Sequence, residues 1–322
     1  MRISKIFEKL FIDSRWCCAY RVLNEEELSK SIVPQRGEVR EYHVIDIPNR
    51  YWIADPFLLT MDGKNYLYFE CMDCKKGKAV LSCKEINPDT HDFFTIFEFK
   101  GHTSYPCIYK KKNAVYMIPE TVDTHNLQLL ICDNVPEKWH KVGNLLENFD
   151  VVDSTPFERN ERDYIFMYSP SKGNAERVLF LGELNLEKCK IENIRKICSY
   201  NAPHGRPGGN VVIEGNRAIR IVQPGDKFYG EKLEFYSFDF TDAEYHEEKV
   251  GELLPEQIKI DKKFQVIGVH TINRCGNIEV IDLKPKRRFD LFKPIKQLLK
   301  IMGLFGYGLY EKRFQYLPKK SG

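Results

Sequence analysis

The 322-residue sequence has no long apolar run. Nothing in it approaches the ~20 consecutive apolar residues of a membrane-spanning helix. The opening MRISKIFEKLFIDSRW is broken by charges, so no cleavable leader is expected. The chain also lacks the glycine patterns GxGxxG and GxxxxGK(S/T), which excludes the two commonest phosphate-cradling loops. No serine sits in a nucleophile elbow. Ten cysteines are present, but CMDC at 71–74 has no second CxxC and no histidine at zinc-finger spacing. They read as free thiols of a reducing compartment.

Strong charge is missing too. The net charge is +3, and it is uneven. Residues 283–322 hold 11 Lys/Arg against 2 Asp/Glu, so a mildly acidic body carries a basic tail. A nucleic-acid protein more often has a basic body, and no nucleic-acid partner is expected. What the chain does have is aromatic residues, 17 Tyr and 21 Phe, which favour strands.

The stretch YWIADPFLLTMDGKNYLYFE at 51–70 has echoes. Pro56 is followed by Pro106 in SYPC, Pro156 in STPF and Pro207 in GRPGG, at spacings near 50. After each proline come a short apolar strand, a turn and a second apolar strand. Third and fourth strands follow in each unit, as in KAVLSCKEI and FTIFEF. FQVIGVHTINRCGNIEVIDL supplies a fifth unit, and EYHVIDI would complete its sheet. A four-stranded repeat near 50 residues predicts an all-β, five-bladed β-propeller over residues 40–283. Residues 1–39 read as an N-terminal extension and 284–322 as a basic amphipathic tail.

Inner-strand entrances converge at one end of a propeller channel. The residues placed there are Asp55, His102, Tyr105, Asp153, His204 and Arg206, with Glu70, Glu120 and Gln223 at second-strand ends and His270 from the fifth unit. Asp226 lies on a rim loop, DKFYG. Asp55 and Asp153 are the best carboxylate pair, with Glu120 as an alternate acid or orienting group. Tyr51, Trp52 and Tyr105 are candidate stacking faces for a sugar. Each carboxylate could equally cap a turn, and the histidines and Arg206 could equally make inter-blade hydrogen bonds. Asp55 and the other carboxylates could hold a divalent ion, although the sequence fixes neither ligand count nor geometry for one, and water or a sugar is the simpler occupant. No cofactor is assigned.

WIADPFL, YLYFE, HTSYPCIY, YMIPE, DSTPF and HGRPGG together resemble the N-terminal domain family named after plant glucosamine inositolphosphorylceramide transferases. That domain in turn is similar to the five-bladed propellers of the arabinanase and levansucrase superfamily. The resemblance implies Asp55 as base or nucleophile and Asp153 as a tuning acid. It also implies a general acid in a later blade, where HGRPGG offers none. His204 and Arg206 would then hold a phosphate-bearing donor. On this basis the expected function is glycosyl transfer in bacterial surface-polysaccharide or glycolipid biosynthesis. A nucleotide sugar would be donor and a glycan or glycolipid acceptor. Glycoside hydrolysis and a non-catalytic carbohydrate-binding scaffold are the alternatives.

In the tail, Ile295, Leu298, Leu299 and Met302 follow helical spacing, flanked by Lys293, Lys296 and Lys300. A helix is therefore expected within 286–302, packed beneath the propeller or, as favoured here, lying on an anionic membrane surface, so that residues 286–322 hold the protein at the cytoplasmic face.

Overall fold

The computed structural model describes residues 12–13, 15–87, 92–99, 101–170, 177–200, 205–225, 227–286 and 288–289. They build a five-bladed β-propeller of antiparallel sheets. Blade one runs Tyr51–Met61, Lys64–Asp73, Lys78–Glu85 and Phe94–Phe97. Blade two runs Ser104–Lys111, Ala114–Glu120, Asn126–Asn134 and Lys138–Glu147. Blade three runs Val152–Arg159, Arg162–Ser169, Arg177–Asn185 and Lys190–Tyr200. In blade four the first strand is split into Arg206–Pro207 and Val212–Glu214, both paired with Arg217–Gln223. Leu233–Phe240 and Tyr245–Leu253 follow.

Blade five closes the ring with pieces from both ends of the chain. Ile272–Cys275 pairs with Ile278–Pro285, which pairs with Cys17–Val22, which pairs with Arg40–Val44. Cys17–Val22 belongs to the stretch read from sequence as an N-terminal extension, so the ring reaches back to that point. Residues 258–260 add a short parallel edge to Arg40–Val44.

The core is not one central mass. Five apolar clusters lie between successive blades. Phe57, Tyr68 and Leu81 of blade one meet Tyr105, Met117 and Leu130 of blade two. Ile219, Phe235 and Leu253 of blade four meet Tyr42, Val269 and Ile281 of blade five. Strand alternation gives each blade two apolar faces. Each fully buried Leu, Ile or Phe contributes about 1.5–3 kcal/mol. Blade one packs on blade five through Ile53, Leu67 and Phe69 against Cys18, Ile278 and Val280. With that contact the ring leaves no blade uncovered.

The split in blade four has a backbone cause. Gly209 has φ +143°, and a Cβ there would lie 2.1 Å from the Ile272 carbonyl oxygen. Ile272 N donates to Gly208 O at 2.9 Å, joining blade four to blade five. GRPGG is thus a close inter-blade approach that only glycine permits.

The expected C-terminal helix is corrected. The helical pieces among the described residues have four residues or fewer, and none is long and apolar enough to cross a membrane. The start of the tail is extended instead, with Arg288–Phe289 paired to Ile12–Asp13. The Lys293–Met302 pattern lies outside the described residues. The membrane-surface partner and the cytoplasmic, membrane-peripheral location rested on that helix, and both are dropped.

Candidate active site

Three bulges create the site. The register breaks between Ala54 and Phe57, between Ser104 and Cys107, and between Val152 and Thr155. At the matching bulge positions, Asp55, Tyr105 and Asp153 all have positive φ, at 50°, 46° and 49°. Such a conformation costs of order 1–3 kcal/mol for a non-glycine residue. A bulge re-aims a side chain out of the strand's alternation. Here it draws both carboxylates into the buried centre. Asp55 is 4% exposed and Asp153 0%.

Two charge clusters meet there. In the first, His270 stands between two carboxylates. Its Nε2 lies 3.1 Å from Asp55 Oδ1, and its Nδ1 lies 2.7 Å from Asp282 Oδ2. The second contact is a close ion pair without hydrogen-bond alignment. Burial alone would lower the imidazole, but Asp282 and Asp55 outweigh it and pull it up to about 10. His270 is therefore a buried imidazolium at neutral pH. Asp55 also accepts from Thr271 Oγ1 at 2.9 Å and Tyr105 N at 3.1 Å. Burial would raise its carboxyl, yet the charge of His270 holds it below the ordinary range. Asp282 anchors the group by accepting from the backbone N–H of Asp55, His270 and Thr271 at 2.9–3.0 Å.

The second cluster is built on Arg206. Its Nε and Nη2 grip Asp153 as a fork, the Nη2 bond being 3.1 Å, and Nη2 also reaches Glu120 Oε2 at 3.4 Å. Gln223 Nε2 donates to Asp153 Oδ2 at 2.9 Å. Glu120 is pushed well above the usual carboxyl range by burial first, then by the nearby Asp153 charge. Glu70 is pushed up likewise, by burial and then by Asp55. Its closest basic neighbour is His102, whose Nε2 lies 3.4 Å from Glu70 Oε1 and whose ring is 42% exposed.

Of the candidates read from sequence, Asp55, Glu70, Glu120, Asp153, Arg206, Gln223, His270 and His102 are thus joined by contacts or shared fields. Tyr105 lies beside them but is fully buried, and its hydroxyl meets Thr155 Oγ1 at 2.9 Å and Gly209 at 2.9 Å. Its ring offers a sugar no open face. Tyr51 packs edge-on against Phe93. His204 and Asp226 lie outside the described residues.

Sequence reasoning passed over Thr271, Asp282, Tyr168 and Tyr229. Asp282 and Tyr168 were findable. Ala54 pairs with Glu70, Ser104 with Glu120, Val152 with Tyr168 and Arg206 with Gln223. The second-strand position that gave Glu70, Glu120 and Gln223 therefore gives Tyr168 in blade three. In blade five Asp282 N donates to Thr271 O, which puts Asp282 in the same place.

The site has unspent hydrogen-bonding capacity. Eight buried side-chain atoms of the described residues have no hydrogen-bond partner, and three of them that also lack an ion-pair contact lie here: Ser154 Oγ, Tyr168 OH and Gln223 Oε1. Buried polar atoms are rarely left unpaired, so this concentration suits a polar, many-hydroxyl guest. Asp55, His270 and Asp282 also bring one metal-ligating atom each within 4.8 Å of one another. The imidazolium proton already supplies positive charge between those carboxylates. A cation would have to displace that proton first.

A family model described as glucosamine inositolphosphorylceramide transferase 1, N-terminal, matches residues 37–279. Glucosamine inositolphosphorylceramide transferase 1 of Oryza sativa subsp. japonica is 24% identical over 209 residues, 62% of this chain and 28% of that protein. Its Arabidopsis thaliana counterpart is 22% identical over 215 residues, 63% of this chain and 27% of that protein. The chain thus spans less than a third of the length of these relatives. Among solved structures, the catalytic domain of Coprinopsis cinerea GH62 α-L-arabinofuranosidase superposes with a TM-score of 0.54 at 11% identity, covering 85% of this chain and 97% of that one. RS223-β-xylosidase gives 0.53 at 8% identity, covering 73% and 92%. These likenesses establish the propeller fold. The expected glycosyl transfer is not carried over from the relatives that bear the transferase name, because the chain matches less than a third of each. The chain belongs to the family of the glucosamine inositolphosphorylceramide transferase 1 N-terminal domain.

Proposed function

We propose that the channel mouth processes carbohydrate, and that its reaction is hydrolysis of a glycosidic bond. One observation carries this reading: Asp55 stands against the cationic His270, while Glu120 is buried beside the Asp153 carboxylate. His270 holds Asp55 below the ordinary carboxyl range, and burial first pushes Glu120 and Glu70 well above it. Cleaving a glycosidic bond needs a base and an acid at the same pH, and environments that push two carboxyls apart supply them. Asp55 is the proposed base and Glu120 the proposed acid. Asp55 takes a proton from water as the water oxygen bonds to the anomeric carbon. Glu120 gives its proton to the departing oxygen as the carbon–oxygen bond breaks. Proton exchange with solvent resets both groups. Asp153 tunes the pair, because its charge adds to burial in raising Glu120, and Arg206 fixes Asp153 in place.

A panel of aryl glycosides and plant or bacterial oligosaccharides tests this by release of free sugar. Wild type is expected to turn over at least one substrate, and Asp55→Asn to lower kcat by about 10²–10⁴-fold with the fold intact. An Asp55→Asn protein as fast as wild type would remove the base assignment. A second reading, glycan binding without turnover, is favoured by Arg206. The resemblance implies an acidic residue in that later blade, and the chain has this arginine instead. Binding with no released sugar across the panel would select it.

A further inference from the structure

Beside His270 a loop carries Phe228 and Tyr229. They are the two aromatic residues among the exposed large hydrophobics of the described chain, at 43% and 46% exposure. The Tyr229 ring lies 5.1 Å from the His270 ring, and the Arg206 guanidinium carbon sits 5.5 Å over it. Trp16 meets its edge at 6.0 Å. An exposed aromatic on a loose loop would carry little meaning, but this loop is held tightly. Lys284 Nζ donates to Tyr229 O at 3.0 Å, and Val269 N donates to Gly230 O at 2.8 Å. Gly230 has φ +72°, and a Cβ there would lie 2.5 Å from Trp16. A Cβ on Gly268 would lie 2.1 Å from the Gly230 carbonyl oxygen. Two glycines, a buried tryptophan and two hydrogen bonds therefore fix the backbone of a residue whose side chain is left half in solvent.

We propose that Tyr229 is the stacking platform for one sugar ring of the substrate, on the face that Arg206 does not cover. The inference rests on the carbohydrate reading above and names the residue that positions the sugar. A pyranose or furanose has an apolar C–H face and a polar rim. An aromatic face flanked by donors and acceptors matches both. Here the face is Tyr229. The polar groups are Arg206, which is part-exposed and lies over the ring, and the unpaired Gln223 Oε1 on the Asp153 cluster that Arg206 grips. The rigid backbone means little ordering entropy is lost on binding.

Titrating the full chain with neutral arabino- and xylo-oligosaccharides by calorimetry tests the platform. Tyr229→Ala is expected to weaken binding about tenfold, with Tyr229→Trp staying within about threefold of wild type. Asp55→Asn should still bind. In turnover, Tyr229→Ala should raise KM more than it lowers kcat. Tyr229→Ala binding as tightly as wild type would overturn the platform and leave the hydrolase reading standing. Binding that needs Tyr229, with no sugar released, would support the platform and overturn hydrolysis. Wild type binding no oligosaccharide would overturn both.

Discussion

His270 shows how much chemistry a single buried residue can decide here. Lying between Asp55 and Asp282, it keeps its proton to a pH of about 10, against 6.5 for an unperturbed imidazole. The stability it contributes is fully present below the unfolded value of about 6.5 and is lost as pH rises toward 10. Thermal melts of wild type should therefore show Tm falling across that window. His270→Gln should flatten that segment of the curve and lower stability by about 3–5 kcal/mol at neutral pH, because Asp55 and Asp282 lose their shared cation. A wild-type Tm that stays level from pH 6.5 to 10 would mean the imidazole is neutral. Asp55 and Asp153 were legible in the sequence because each stands near a repeated proline, although both lie within the first strand of their blades and not before it. The sequence could not show that Asp55 would be held low and Glu120 high. Those shifts come from His270, 215 residues from Asp55, and from burial of Glu120 beside Asp153, 33 residues away.

At the scale of the element, proline spacing located the blades but not their registers. Pro56 and Pro106 both lie inside bulges, whereas Pro156 lies past its bulge, paired with Ile165. The site-facing residue of blade three is therefore two places earlier in the strand than the proline count implies. Blade five has no such proline at its entrance, and Asp282 was overlooked. A helix was expected from the i, i+3, i+4 spacing of the tail, but the described start of that tail pairs as strand. Blade five also holds a second buried charge group. Glu279 is fully buried and bonded to Arg21, Arg274 and Tyr42, with Arg40 at 3.4 Å. Burial would raise it, but Arg40 and Arg21 outweigh burial and hold it at about 2. Glu279→Gln removes the buried carboxylate that Arg21, Arg40 and Arg274 share, leaving Arg21 to Glu27 and Arg40 to Glu38. Urea unfolding should show a loss of about 3–5 kcal/mol. A loss below about 1 kcal/mol would show that the arginines reach solvent when the carboxylate is gone.

For the whole molecule, the ring explains why residues more than 200 positions apart meet. Each blade covers its neighbour, and the last sheet is completed by Cys17–Val22, inserted between Ile278–Pro285 and Arg40–Val44. Removing residues 1–23 would split that sheet through its middle and expose the clusters on both of its sides. The shortened chain is expected to lose cooperative thermal unfolding, seen by circular dichroism. A sharp, wild-type-like transition would mean that four blades and a partial fifth are enough. The five-unit count and the convergence of blade entrances could be read from the repeat. The closing strand could not, because the 17 residues from Leu23 to Val39 separate it from Arg40–Val44 and hide the pairing.

The opposed shifts of carboxyl groups at one mouth can be measured without a substrate. Carbon-13 NMR titration of the Asp and Glu carboxyls, assigned with Asp55→Asn, Glu70→Gln and Glu120→Gln, reads each group directly. The account predicts that Asp55 titrates below the ordinary carboxylate range, with Glu70 and Glu120 above it. All three titrating together near pH 4 would contradict it.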